Sequence, residues 1–85
     1  MSSTEKAVIT DGFNDLLHYV PKSIYNNNTV YGTSHTEGYL QGISFSLAII
    51  SFALGKENYS HLVKTIDELR MLNFEREKKI LKEGL

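Results

Sequence analysis

The chain has 85 residues, 9 of them basic and 10 acidic, with a net charge of −1 and no cysteine. This length allows one domain with a thin hydrophobic core. The charge balance excludes the basic footprint of a nucleic-acid binder, and the absence of cysteine excludes disulfides and cysteine-ligated zinc. Small secreted domains usually depend on such staples, so a cytoplasmic location is expected. The opening Met-Ser-Ser-Thr-Glu-Lys also lacks the basic-then-apolar plan of a signal peptide.

The first helix is predicted over residues 3–19. Ser2 and Glu5 have the spacing of a capping box, in which each side chain satisfies the other residue's backbone N–H. Ile9, Phe13, Leu16, Leu17 and Val20 then recur on one helical face. Pro21 is expected to end this helix, because the residue before a proline is pushed out of the helical region. Asp11, Asp15 and His18 lie at i, i+4 and i+7 on its polar face. They match no known metal or acid–base spacing, and a solvated helix face accounts for them.

Residues 20–33 read as a connector. Asn26, Asn27 and Asn28 are turn formers, flanked by the strand-like pairs Ile24-Tyr25 and Val30-Tyr31. An irregular loop with a helical turn is expected here, with a small β-hairpin as the alternative.

The second helix is predicted over residues 34–54, with Ser34 and Glu37 as a second capping box and Gly55 as its C-terminal cap. From Gly38 to Gly55 no position is charged, yet the stretch is patterned. Leu40, Ile43, Leu47, Ile50 and Leu54 form one stripe; Gly38, Gly42, Phe45, Ile49 and Phe52 form another; Glu37, Gln41, Ser44, Ala48 and Ser51 form a narrow stripe of small or polar residues. A helix that is apolar over most of its circumference needs more than one neighbour to bury it. So short a chain offers few, and a second copy is the expected source. Gly38, Gly42, Phe45, Ile49 and Phe52 are therefore assigned to a homo-oligomer interface. A membrane span is not expected, because Gln41, Ser44, Ser46 and Ser51 dilute the apolarity.

The third helix is predicted over residues 58–82, capped by Asn58 or Ser60, with Tyr59, Leu62, Val63, Ile66 and Leu69 on its apolar face. The short link between the second and third helices predicts an antiparallel hairpin. After Leu69 the stripe drifts, and the charged tail reads as a solvated extension that lies across a partner subunit. The expected fold is therefore all-α: a single domain of three helices that assembles as a homodimer or larger oligomer.

Neither a nucleophile elbow nor a phosphate-binding glycine loop is present, and there is no Cys–His pair. No catalytic residue, cofactor or metal is assigned. The connector is the candidate ligand or partner site, through Tyr19, Lys22, Tyr25, Asn27, Tyr31, His35 and Tyr39. Tyrosine combines a large apolar face with a hydrogen-bonding tip and is enriched at interfaces. Amides, a lysine and the free N–H groups at a helix start could hold a polar anion. The run Leu40-Gln41-Gly42 is similar to a few residues in the helical hairpin of phage-encoded cyclic-nucleotide sponges. That similarity is too short to carry any binding residue across. The expected function is non-enzymatic: an inhibitor or adaptor of microbial or phage origin that docks on another macromolecule, with another protein as the expected partner. The alternative is an oligomer that sequesters a nucleotide-like anion between subunits.

Overall fold

Ser2 and Glu5 make the expected capping box: Glu5 N donates to Ser2 Oγ at 3.1 Å, and Ser2 N to Glu5 Oε1 at 3.3 Å. From there α1 runs Ser3–His18 and buries Phe13 and Leu17, while Leu16, expected on the same face, is exposed. The computed structural model describes residues 2–84, and among them it contains helices and no strand.

The chain departs from expectation after His18. Residues 20–33 do not form an irregular connector or a β-hairpin. Helix resumes at once as α2, Val20–Asn26, offset from α1 by Tyr19. Pro21 lies in the first turn of α2, where its missing N–H has no intrahelical acceptor to lose and its fixed φ suits the helix. Val20 and Ile24, four residues apart, are both buried on one side of this short helix. Tertiary burial thus holds a helix that turn-forming asparagines would otherwise discourage.

α3 spans Val30–Leu54 and begins four residues earlier than the capping signal at Ser34 suggested. Its N-cap is Thr29, whose Oγ1 accepts from Gly32 N at 3.0 Å. A Cβ at Gly32 would come within 2.8 Å of Asn27 Oδ1, so a larger residue there would have to displace the Asn27 side chain. Ser34 and Glu37 lie inside α3, and Glu37 is engaged with α4. Gly55 ends α3 at φ 85, a backbone conformation that glycine adopts without the usual Cβ penalty.

α4 follows directly as Lys56–Glu83. Asn58 is not its N-cap; the Asn58 amide donates back to Leu54 O at 3.1 Å and closes the end of α3. The pairs tying α3 to α4 ascend one helix as they descend the other. Asn58 meets Leu54, Arg70 meets Glu37, and Asn73 and Glu77 meet Thr33. The tail is not a solvated extension as far as Glu77. Leu69 and Asn73 are buried, and Arg76 Nε donates to Asn27 O at 2.9 Å, holding α2 against α4.

The molecule is an elongated bundle of 52 × 17 × 16 Å built from three rods, the first broken into α1 and α2. Ile24, Leu40, Leu47, Leu54, Leu62 and Ile66 fill the centre. Burial of each such side chain favours folding by about 1.5–3 kcal/mol.

Candidate functional site

α3 carries two stripes of heptad spacing on opposite faces. The inner one, Thr33, Thr36, Leu40, Ile43, Leu47 and Leu54, is buried against the other helices. The outer one is bare. Phe45, Ile49 and Phe52 are 71%, 73% and 88% exposed, and Gly38 and Gly42 lie open beside them. At 3.6 residues per turn, positions two apart lie on nearly opposite faces, which is how one helix serves both. Tyr31 and His35 extend the outer stripe by two further steps, their rings stacked with centroids 6.5 Å apart. The residues assigned to the interface from sequence thus share one exposed apolar surface, a feature that marks interaction sites. By length and composition α3 would also suffice to cross a membrane.

Of the seven connector residues, the structure brings three together. Tyr19, His35 and Tyr39 line a groove of about 480 Å³ where α1, α2 and α3 meet, with Asp15, Ser23 and Thr36 as its other polar groups. Tyr39 is positioned by its hydroxyl, which donates to Leu16 O at 3.2 Å. Tyr19 stands at the break between α1 and α2, edge-on to His18 at 5.3 Å between centroids. Lys22, Tyr25 and Tyr31 are exposed but do not line the groove. Asn27 is occupied structurally, its amide donating to Thr36 Oγ1 at 3.1 Å and its carbonyl accepting from Arg76. It joins α2, α3 and α4.

A second groove, between α3 and α4, was missed at the sequence level. It holds Glu37, Asp67, Arg70, Met71, Phe74 and Glu77. Met71, Phe74 and Leu81 recur at heptad spacing among charged residues and are exposed, so the signal was present but obscured by the charge around it. Lys78 Nζ sits 5.2 Å from the Phe74 ring centre. Arg70 bonds Glu37 Oε1 through Nε at 2.8 Å and Nη2 at 2.6 Å. The Glu37 hydrogen bond, reinforced by the charges of Glu37 and Asp67, raises the Arg70 guanidinium above its ordinary value against a smaller opposing effect of desolvation.

Beneath this groove Asn73 is 1% exposed. Its amide nitrogen donates to Thr33 O at 2.8 Å, and its Oδ1 has no partner among the described residues. Thr33 Oγ1 lies 3.0 Å from Val30 O and 3.1 Å from Glu77 Oε2. These bonds put a polar layer at the α2 end of an otherwise apolar core. Among the described residues no three histidine or acidic side chains converge as a metal site, Asp11, Asp15 and His18 included. Set against family models, characterised proteins and solved structures, the chain matches none.

Proposed function

We propose that this chain is a non-enzymatic helical binding protein. In this reading α3 and α4 form an antiparallel hairpin, the outer face of α3 self-associates, and the assembly docks on another protein as an inhibitor or adaptor in the cytoplasm. The observation that carries it is the uncovered run Phe45-Ile49-Phe52, which is large, apolar and free of charge on a chain that has already used the opposite face of the same helix. The inner stripe is committed to the bundle, which argues for a protein partner over a membrane span. The direct test is the solution mass by light scattering across a concentration series. An assembly at a multiple of 9.6 kDa supports the reading, and a soluble monomer at every concentration removes the self-association.

A second reading, an oligomer that sequesters a nucleotide-like anion, is favoured by the 480 Å³ groove that gathers Tyr19, His35 and Tyr39. Aromatic faces and hydroxyls there suit a base and a sugar. A ligand at about 100 times its Kd would stabilise the fold by about 2.7 kcal/mol. A panel of nucleotides should then raise the melting temperature, and Tyr19→Ala should abolish the rise. No shift with any nucleotide removes this second reading.

A further inference from the structure

Gly38 and Gly42 lie in the interior of a 25-residue helix, where glycine is less favourable than alanine. A Cβ at either position would meet nothing within 4 Å, so the folded chain itself has no need of a glycine there. The outer stripe is also divided by size: its N-terminal half is small at Gly38 and Gly42, and its C-terminal half is large at Phe45, Ile49 and Phe52. Two such stripes are complementary in one orientation. Parallel pairing would lay glycine on glycine and phenylalanine on phenylalanine, leaving a gap beside a clash. Antiparallel pairing lays the large half of each copy on the small half of the other.

We propose that the outer face of α3 is covered by α3 of a second copy running antiparallel, about a two-fold axis between residues 43 and 44. One register satisfies the layers from His35 to Phe52: Phe45 faces Gly42 of the other copy, Ile49 faces Gly38, and Phe52 faces His35. The missing side chains at Gly38 and Gly42 are then the space that the other copy's Ile49 and Phe45 occupy. The flanking positions Tyr39, Gln41, Ser46 and Ala48 carry no charge, so no like charges oppose one another. The interface is isologous, as a two-fold pair requires. Phe45 and Phe52 offer about 150–250 Å² each when buried, and with Ile49 and the flanking positions a pair of copies approaches the roughly 1,000 Å² floor of specific interfaces. Phe52 of one copy also reaches His35 of the other, at the edge of the groove lined by Tyr19 and Tyr39, so that groove is completed only in the pair.

This inference rests on the self-association proposed above, and the test separates the two. The chain has no cysteine, so Ser34→Cys and Ser46→Cys each give one site for a spin label. At a rise of 1.5 Å per residue, the antiparallel register offsets the two labels along the axis by about 8 Å at position 46 and about 28 Å at position 34. The measured label separation should therefore grow from Ser46→Cys to Ser34→Cys by more than about 10 Å, since lateral spacing adds to both. Gly42→Leu should run as a monomer while keeping its helical circular dichroism, because leucine favours helix and finds open space in the single chain. Nearly equal label separations in an assembled protein would overturn the antiparallel register and leave self-association standing. An assembly that Gly42→Leu leaves intact and folded would move the interface off this face. Wild-type monomer at all concentrations, including one captured by lipid vesicles instead, would overturn both readings.

Discussion

The two faces of α3 are spaced alike and behave differently. Leu40, Leu47 and Leu54 are almost wholly buried, while Phe45, Ile49 and Phe52, drawn from the same helix at the same period, stand in solvent. The difference does not come from hydrophobicity, since the exposed side is the more aromatic. It comes from the supply of neighbours. α1, α2 and α4 all pack on one side of α3, and among the described residues nothing covers the other. A helix apolar on two faces in a chain this short is therefore evidence about assembly as well as about the core.

That contrast can be tested directly. The largest expected effect belongs to the inner face: Leu47→Ala should lower the unfolding free energy by about 2–5 kcal/mol, because a cavity is left where the side chain was fully enclosed. Phe52→Ala, measured by urea unfolding at a concentration where the chain is monomeric, should change stability by no more than about 0.5 kcal/mol. A comparable loss at both positions would mean that the outer stripe is part of the chain's own core and would erase the distinction. Next in size is Asn73→Ala, which removes the donor to Thr33 O and should cost about 1–3 kcal/mol. Its effect marks where the inner face changes from apolar to polar, and a neutral result in the same urea titration would show that water replaces the amide.

A small effect is also expected at the edge between the two faces. Arg70→Met should cost about 0–1 kcal/mol, because the pair with Glu37 is partly exposed, and the loss should shrink in high salt. The raised pKa of Arg70 fixes the sign of any pH dependence. The contribution is present below the unfolded-state value and is lost only as pH rises through the higher folded-state value. Stability measured in wild type and Arg70→Met should therefore differ by the same amount at neutral pH and at about pH 10, since arginine remains protonated there.

Much of the α3 account was legible before any tertiary structure. Stripe membership follows from a 3.6-residue period, and Gly55 and the Ser2–Glu5 box are local signals that need no partner to form. The connector residues are placed differently from one another. Tyr19, His35 and Tyr39 converge on one groove, but Asn27 proved to be a tie between helices and Lys22, Tyr25 and Tyr31 fell outside. Residue type suggests what a side chain can bind, whereas its direction depends on helices that sequence composition places poorly. The same limit explains α2. Three asparagines and a proline speak locally for a break, and the burial of Val20 and Ile24 against distant helices outweighs them.

By itself, then, the sequence determined that the chain is helical, that it lacks the residues of a disulfide or cysteine-zinc scaffold, and that its second long helix has two apolar faces. These follow from composition and periodicity, which are properties of neighbours along the chain. Which face is buried, where the first rod breaks, and how far the charged tail is held were set by packing between the helices. Each depends on contacts between residues far apart in sequence, such as Thr33 with Asn73, and no local signal encodes their partners.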